Sequence, residues 1–451
     1  MATFGHSMLR IVPLDYTGSQ FELYNKISRD YNYSFLFESL TGPEELAETS
    51  IIGFDPSVVV RGYSDRITLR DKNGNTKTIS TDEPLGEIRK LLTTVTDQKY
   101  RYLGGAVGII NYDAVRLLES IPNSHKKDDE PLMEFGIYTD GILYDNKERK
   151  SFYFYYDKKR IEQISFSDTK FEEFELSEIS ENIDKMRFEN MVKKAKKYIH
   201  DGDIFQVVLS RRFNFEAKGD LLKVYKFLRQ INPSPYMYHM RMKDRTILGS
   251  SPEMLLRVTG NRVETFPIAG TRPITDDETK NERAGQEMLN DEKELAEHTM
   301  LVDLGRNDIG RVCKYGTVRV KELMAVKKFS HVQHMVTHVV GTLDKRFDVF
   351  DAIKAVFPAG TVSGAPKIRA MEIIDELEPE ARGPYAGAVG YFSFNGCCDF
   401  AIAIRTIFLE GTKGFVQTGA GIVSDSIAEN EWMETQHKAS AMLDALKEAA
   451  K

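Results

Sequence analysis

"DDETKNERAGQEMLNDEKELAEHTMLVDL", residues 276–304, is a long charged stretch that predicts helical structure, and it follows a short β-branched segment, "NRVETFPI", residues 261–268. Upstream, a predicted helix is followed by a predicted strand. The stretch "RFENMVKKAKKYIHDGD" (187–203) indicates the helix, and "FQVVLSRRFNF" (205–215) indicates the strand. Strict alternation of strand and helix is not found along the chain. The pattern therefore favours an α+β fold with large antiparallel or mixed sheets over a parallel α/β fold.

The first 165 residues are the part of the chain richest in predicted strands. "SVVVRGYSDRITLRD" (57–71) and "KSFYFYYD" (150–157) are β-branched or aromatic, and "DKNGNTK" (71–77) has the composition of a hairpin turn. An acidic, polar connector at 167–190 follows. We therefore divide the sequence into an N-terminal region, 1–165, and a second region, 185–446.

Composition narrows the class of protein. The net charge is −7 and no basic tract is present, which argues against non-specific nucleic-acid binding. No apolar run approaches the roughly 20 residues of a membrane helix, and the polar N-terminal stretch, interrupted by Pro13, does not resemble a signal peptide. The three cysteines have neither disulfide-framework nor metal-site spacing. These features predict a soluble, cytoplasmic protein.

Two pairs of carboxylates have helical spacing. Glu294 and Glu297 are three residues apart, and so are Glu431 and Glu434 near the C-terminus. Residues i and i+3 share one face of a helix, where two like charges repel each other. Either each pair lies on a solvated helix face, or the four carboxylates together surround a hard cation such as Mg²⁺. Lys438 follows Glu434 by one turn and is suited to an i,i+4 ion pair with it.

Glycine-rich stretches lie between the two acidic pairs. "FPAGTVSGAPK" (357–367) lacks the spacing of a P-loop, and "TGAGIV" (418–423) is a second such stretch. Both are suited to tight turns, and both are also suited to presenting backbone N–H groups to an anion. Arg405, in "AIAIRT", ends an apolar strand and has the planar donor set that binds a carboxylate.

Seven ordered motifs give these features a common interpretation. They are "FPIAGTRP" (266–273), "ELAEHTMLVDLGRNDIGRV" (294–312), "HVQHMVTHVVGTL" (331–343), "FPAGTVSGAPKIRAMEII" (357–374), "GPYAGAVGYFSFNG" (383–396), "AIAIRT" (401–406) and "GAGIVSDSIAENEWMET" (419–435). In this order they resemble the chorismate-utilising enzymes, and among these the anthranilate synthase component I family. The resemblance implies an α+β fold, a four-layer α/β/β/α sandwich with two large, mostly antiparallel sheets and a Mg²⁺-dependent site between them.

The resemblance also implies roles for particular residues. Glu297 and Glu434 correspond to the Mg²⁺ ligands, while Glu294 and Glu431 lie outside them and belong with His334 to the catalytic set. Residues implied to bind the substrate are Gly270, Thr271, Gly360, Thr361, Tyr385, Arg405, Gly419, Ala420, Gly421 and Lys438. His334 has an alternative interpretation, as a core histidine between Val332 and Met335. Glu264 is a weaker acid–base candidate.

Two positions bear on which nucleophile attacks chorismate. Relatives that use water have a lysine base where this chain has Gln206, and aminodeoxychorismate synthases have a nucleophilic lysine where it has Ala269. Neither Gln nor Ala supplies that chemistry. The resemblance therefore implies ammonia as nucleophile and anthranilate and pyruvate as products, in tryptophan biosynthesis. The alternatives are aminodeoxychorismate synthase component I and a non-catalytic subunit of the same fold.

Two further expectations concern partners. No nucleophile elbow surrounds the cysteines, so we expect a separate glutamine amidotransferase subunit to supply ammonia from glutamine. In the resembled family, an "LLES"-like stretch and an "NPSPYM" stretch together bind L-tryptophan as a feedback inhibitor. The corresponding residues are Glu38, Ser39, Pro233, Ser234, Tyr236 and Met237.

Overall fold

A computed structural model describes residues 8–42, 48–92, 95–125, 130–163, 170–329 and 332–451. Its strands are β1 (Arg10–Leu14), β2 (Tyr33–Glu38), β3 (Thr49–Phe54), β4 (Val58–Gly62), β5 (Arg66–Asp71), β6 (Thr76–Ser80), β7 (Gly105–Ile110), β8 (Met133–Tyr138), β9 (Asp140–Asp145), β10 (Lys150–Tyr155), β11 (Phe174–Leu176), β12 (Ser180–Glu181), β13 (Gln206–Gly219), β14 (Tyr236–Met242), β15 (Arg245–Ser251), β16 (Met254–Thr259), β17 (Arg262–Thr265), β18 (Ile268–Pro273), β19 (Arg319–Lys328), β20 (Val332–Thr342), β21 (Gly364–Ala365), β22 (Ala388–Ser393), β23 (Cys398–Ile402), β24 (Thr406–Glu410) and β25 (Lys413–Ile422).

The α-helices are α1 (Gln20–Ser28), α2 (Pro84–Leu91), α3 (Lys185–His200), α4 (Leu221–Ile231), α5 (Glu278–Asn290), α6 (Glu292–Gly310), α7 (Val349–Val356), α8 (Lys367–Leu377) and α9 (Ala428–Ala449), with 3₁₀ turns at Tyr112–Leu117, Ile161–Gln163 and Gly360–Val362. None of the helices in the described residues is long and apolar enough to cross a membrane.

The strands form two large sheets. The first runs β1-β10-β9-β3-β2-β14-β15-β24-β25-β13-β11, with β12 and β21 also paired to β13. The second runs β18-β20-β17-β16-β23-β22-β7-β8-β4-β5-β6, with β19 also paired to β20. Within the described residues, every pairing between these strands is antiparallel, from β1 with β10 to β7 with β8. The predicted α+β class with mostly antiparallel sheets is confirmed.

The sheets pack face to face, and helices cover their outer faces. Strand β14 shows the arrangement, because Tyr238 and Met240 point into the core shared with the second sheet while Met237 points toward a core formed with helices α1, α4 and α9. This alternation follows from the two-residue period of a strand. Helices α2 and α7 pack on the other side of the second sheet. The predicted four-layer α/β/β/α architecture is thereby confirmed.

Strands from both regions of the sequence enter both sheets. In the first sheet β2 of the N-terminal region pairs with β14, placing Glu38 opposite Met237. In the second sheet β7 pairs with β22. The division at 1–165 and 185–446 therefore remains a prediction about the sequence, since the two regions are interleaved in space.

The charged stretch at 276–304 forms two helices rather than one. Helix α5 ends at Asn290 and α6 begins at Glu292, with Asp291 between them in an extended conformation. The Asp291 side chain accepts hydrogen bonds from the backbone N–H groups of Lys293 and Glu294, which is the usual way to satisfy free donors at a helix start. The break sets the direction of α6 and therefore of its carboxylates.

Candidate active site

The two acidic pairs face one cavity of about 610 Å³, which is bounded by helices α6 and α9, by β18 and by β25. Glu294 and Glu297 lie on α6, and Glu431 and Glu434 lie on α9. The other predicted residues that line the cavity are Gly270, Thr271, His334, Thr361, Tyr385, Arg405, Gly419, Gly421 and Lys438. Gly360 and Ala420 are not among its lining residues. The side chain of Ala420 instead packs with α3 and α8.

Glu297 and Gln206 are in direct contact. Gln206 Nε2 donates to Glu297 Oε1 over 3.2 Å. Burial raises the pKa of Glu297, the hydrogen bond from Gln206 lowers it, and the charge of Glu434 raises it further. The pKa of Glu431 is also raised, first by burial, and Glu434 adds to this. The carboxylates of the two helices therefore repel one another across the cavity.

Glu294 is held differently. Arg272 Nη1 donates to Glu294 Oε1 over 2.7 Å, while Glu294 Oε2 is buried without a hydrogen-bond partner. A side chain on Gly270 would bring its Cβ within 2.7 Å of this Oε2, and Gly270 also has a positive φ of 62°. The positive φ favours glycine at this position, and the end of the Glu294 side chain occupies the space beside it.

This donor set fits a magnesium ion. Mg²⁺ is usually held by one or two protein carboxylates and keeps water or substrate oxygens as its other ligands. Glu297 and Glu434 supply one carboxylate from each helix, and Glu294 retains an unpartnered oxygen nearby. Among the residues that the structure describes, no three His, Cys, Asp or Glu side chains form a ready-made metal group. A magnesium ion bound here would take its remaining ligands from water or substrate.

Arg405 supplies a cation to the same cavity. It lies in a bend between β23 and β24 with a φ of 51°, a left-handed conformation that is uncommon for a non-glycine residue. The strand predicted to carry Arg405 ends earlier, at Ile402. Within the described residues, no carboxylate lies within ion-pair distance of its guanidinium, and burial lowers its pKa. A ligand carboxylate would offset this buried charge.

The edge of β25 near Arg405 faces the cavity. Strand β24 pairs with β25 only as far as Ile407 opposite Val416, whereas β13 follows β25 to Ile422. Residues 417–422 therefore have a strand partner on one side only, and alternate N–H groups of a strand point to the other side. Lys438 Nζ binds Gly419 O at 3.0 Å and Glu434 Oε1 at 2.5 Å. Lys438 thus makes the i,i+4 ion pair and also lines the cavity.

His334 lies on β20 beside Gly270, where the register of β18 with β20 shifts. Its Nδ1 is 2.9 Å from Gly270 O and 3.1 Å from Thr271 Oγ1. Because a carbonyl oxygen only accepts, Nδ1 carries the hydrogen and Nε2 of the neutral ring carries a lone pair. Burial lowers the pKa of His334, the bond to Gly270 raises it and Arg405 lowers it. The imidazole is therefore suited to accepting a proton rather than donating one at neutral pH.

Glu253 is a site residue that the sequence prediction missed. It follows Pro252 between β15 and β16, is 7% exposed, and lines the cavity together with Thr361. Burial raises its pKa to about 8, while Thr361 and Lys438 act in the opposite direction. A signal was present in "SSPEMLLR" (250–257), where a carboxylate directly precedes a buried apolar strand. A carboxylic acid that stays protonated at neutral pH is suited to general-acid catalysis.

His298, next to Glu297, fixes helix α6 in place. It is fully buried, and its Nε2 lies 2.6 Å from Thr337 Oγ1 on β20. Thr337 Oγ1 also accepts a hydrogen bond from the N–H of Met324. Burial lowers the pKa of His298 to about 4. This neutral contact holds the acidic face of α6 toward the cavity.

The two predicted tryptophan-site motifs meet in a different place, between the sheets. Glu38, Ser39, Tyr236 and Met237 line a second cavity together with Arg101, Arg257, Tyr391 and Asp399. Pro233 and Ser234 are not among its lining residues. Their carbonyl oxygens accept hydrogen bonds from the Thr41 hydroxyl and the Leu40 N–H, which hold the two motifs together.

The charge of Glu38 is already paired in this structure. Arg229 donates to Glu38 Oε1 over 2.6 Å and to Oε2 over 3.0 Å, and the Tyr225 hydroxyl donates to Oε1 over 2.9 Å. An ammonium group at this carboxylate would share it with Arg229 and Tyr225. Ser39 Oγ, in contrast, is buried without a hydrogen-bond partner.

Comparison with known proteins adds an independent finding. Residues 32–444 match the family model described as chorismate binding enzyme. Anthranilate synthase component 1 from Methanothermobacter thermautotrophicus is 45% identical over 429 residues, covering 94% of this chain and 92% of that protein. The crystal structure of anthranilate synthase component I from Streptococcus pneumoniae has a TM-score of 0.77 and 38% identity, covering 88% and 92% of the two chains. The menaquinone-specific isochorismate synthase from Escherichia coli, 19% identical, shares the fold with a TM-score of 0.74, covering 98% and 95%.

Proposed function

This chain belongs to the chorismate-binding enzymes, in the anthranilate synthase component 1 family, and we propose that it converts chorismate and ammonia to anthranilate and pyruvate. The observation that carries the proposal is that four carboxylates on two helices line one cavity together with Arg405 and Tyr385. Chorismate has two carboxylates at separate positions. One suits a metal held by the acidic helices, and the other suits the arginine.

The residues divide between the two ends of the substrate. Glu297 and Glu434 would hold Mg²⁺, which when bound supplies a template and a Lewis acid for the ring carboxylate. Arg405 and Tyr385 bind the enolpyruvyl carboxylate, assisted by backbone N–H groups on the open edge of β25. Thr361 and Gly270 border the ring between them. The cavity of about 610 Å³ has room for chorismate and for ammonia beside it.

The first chemical step needs an acid. Ammonia forms a bond to ring C2, the double bonds shift, and the C4–O bond breaks with its electron pair on oxygen. Glu253 donates a proton so that the hydroxyl leaves as water, because hydroxide is a poor leaving group. The new ammonium substituent then releases a proton. Burial supports this role, since it keeps the carboxyl protonated near neutral pH.

The second step needs a base. Removal of the hydrogen from C2 and cleavage of the bond between ring C3 and the ether oxygen make the ring aromatic. The electron pair of that bond leaves on the oxygen, and the released enolpyruvate takes up a proton from water to become pyruvate. His334 Nε2 accepts the proton, and the hydrogen bond from Nδ1 to Gly270 O keeps the ring in the required tautomer. Glu294 and Glu431 act around this site through water and by orienting charge rather than as direct ligands.

Ammonia is favoured over water as nucleophile by Gln206, which lies in the cavity and already donates to Glu297. An amide does not remove a proton from water. Ala269, which also lines the cavity, gives no nucleophile that would favour aminodeoxychorismate synthesis.

We further propose that a separate amidotransferase subunit supplies ammonia from glutamine. All three cysteines are free and buried. Burial raises the pKa of Cys313 to about 11 and also raises the pKa values of Cys397 and Cys398. A nucleophilic cysteine requires a lowered pKa and access to substrate. Unpaired cysteines also support a cytoplasmic location.

Feedback inhibition by L-tryptophan is the last part of the proposal. The cavity at Ser39 lies between aromatic and charged side chains, which suits an amino acid with an indole ring. It shares none of its lining residues with the acidic cavity. Inhibition would therefore be transmitted through the sheets.

A direct assay tests the proposed reaction. The purified chain is incubated with chorismate, Mg²⁺ and an ammonium salt, and anthranilate is followed by its fluorescence and identified by mass. Anthranilate and pyruvate in equal amounts support the proposal. Aminodeoxychorismate alone would assign the chain to the related activity, and unconsumed chorismate would indicate a binding subunit.

A further inference from the structure

Glu253 lies between two cavities. It lines the large acidic cavity and also a smaller one behind it, which we name the rear cavity. Thr361 and Leu301 are likewise shared by both. Glu253 therefore separates the substrate side from a second space that the proposed reaction does not use.

The rear cavity has room for water. Its volume is about 40 Å³, and one ordered water needs roughly 10–15 Å³. Much of the wall is apolar, including Leu304 on α6. Its polar side chains include Glu253 and Thr361 at one end and Asp308 on α6. Two or three waters in a row would thus have hydrogen-bond partners along the cavity.

The Asp308 end is close to solvent. Asp308 Oδ2 pairs with Lys367 Nζ at 2.7 Å, and the two side chains are 14% and 15% exposed. Lys367 also donates to Val356 O over 3.1 Å. A partly exposed ion pair of this kind exchanges protons with solvent, whereas Glu253 is buried.

We propose that the rear cavity is a water-filled route by which Glu253 regains its proton from solvent by way of Asp308. The inference rests on the proposed function, in which Glu253 protonates the leaving hydroxyl. Substrate bound in the large cavity separates Glu253 from bulk water on that side. One proton enters through the rear cavity and restores the carboxyl group of Glu253. The proton lost by the new ammonium group leaves through the large cavity, so the number of protons taken up equals the number released.

Gly305 allows the route to be blocked. It lies on α6 and lines the rear cavity, and an added Cβ would contact Thr265 at 3.4 Å, an ordinary distance. Gly305→Leu therefore fills the space. Gly310→Leu is the matched control, because it is the same substitution in the same helix at a position with no neighbour within 4 Å of an added Cβ.

The measurement is kcat at saturating chorismate and ammonia, in H₂O and in D₂O. Gly305→Leu is expected to lower kcat about tenfold, within the range of acid–base effects, and to increase the solvent isotope effect. KM for chorismate and the Mg²⁺ requirement should stay within about twofold of wild type, while Gly310→Leu behaves as wild type. If kcat and the isotope effect of Gly305→Leu equal those of wild type, the route is refuted.

If Gly305→Leu displaces α6 and weakens Mg²⁺ binding, Asp308→Asn is the variant that tests the proposed proton route. It keeps the shape of Asp308 and removes its proton exchange, so we expect a lower kcat and a larger isotope effect at unchanged chorismate KM. Wild-type values for this variant would overturn the proposal. A wild-type chain that makes no anthranilate would instead refute the proposed function itself.

Discussion

The side-chain amide of Gln206, the first residue of β13, donates a 3.2 Å hydrogen bond to Glu297 Oε1 on helix α6. This bond opposes the effect of burial on the pKa of Glu297. We expect Gln206→Leu to raise that pKa further and to weaken Mg²⁺ binding by about 10–100-fold, as loss of such supporting contacts usually does. Activity titrated with Mg²⁺ at fixed pH measures the change. An unaltered Mg²⁺ dependence would show that the bond does not support a metal ligand.

The proposed ligands themselves should be indispensable. Glu297→Gln and Glu434→Gln each remove a charged oxygen ligand, so anthranilate formation should fall below detection while circular dichroism stays unchanged. EDTA should stop the wild type in the same way. Glu429→Gln is the matched control, because Glu429 lies on the same helix but forms an exposed pair with Lys185. Normal turnover of both ligand variants at low Mg²⁺ would contradict the assignment.

Glu253→Gln should lower kcat by about 10²–10⁴-fold, since it removes the acid for the leaving hydroxyl. The pKa of Glu253 is about 8 in the folded chain. At saturating free ammonia, wild-type kcat should therefore fall as pH rises through about 8. The residual activity of the variant should not show this fall. If kcat of Glu253→Gln still fell with rising pH near 8, the fall would be assigned to the titration of another group.

The same pKa has a consequence for stability. The carboxyl of Glu253 binds its proton more tightly when folded, so wild-type stability should decline between about pH 4.5 and pH 8, where only the folded chain keeps the proton. Glu253→Gln lacks this decline. Thermal unfolding of both proteins across this range should show the variant gaining relative stability toward pH 8.

The nitrogen source provides a separate test. The isolated chain should use free ammonia and should be inactive with glutamine, because its cysteines are buried and have raised pKa values. The initial rate should follow the concentration of NH₃ rather than total ammonium when pH is varied below 8. Strong glutamine-dependent turnover by the purified chain would refute the need for a partner subunit.

Tryptophan inhibition depends on the cavity at Ser39. L-tryptophan should inhibit competitively with chorismate, and chorismate should weaken tryptophan binding by the same factor. Ser39→Phe should fill the cavity and abolish inhibition with little change in ammonia-dependent activity. Leu40→Phe, a substitution at the neighbouring position outside the cavity lining, should remain inhibited. Wild-type activity that is insensitive to millimolar tryptophan would contradict this proposal.

The sequence by itself determined the local features of this protein. The spacing of Glu294 and Glu297 was enough to place both on one helix face, because helical periodicity depends only on neighbouring residues. The ordered motifs likewise indicated the family and, through it, the two-sheet architecture. Because the motifs also carry these residues, the resemblance implied that Glu297, Glu434 and Arg405 share one site, and all three line one cavity.

Tertiary structure decided the remaining features, because each joins residues far apart in the chain. Glu253 became a candidate acid only through burial beside Thr361, and Arg272 was found to hold Glu294 only once β18 lay against α6. The sequence placed Glu38 in a predicted tryptophan-binding motif, yet its carboxylate is bound by Arg229, 191 residues away. Burial and long-range pairing set the charge state of each group, and neither is encoded in local periodicity.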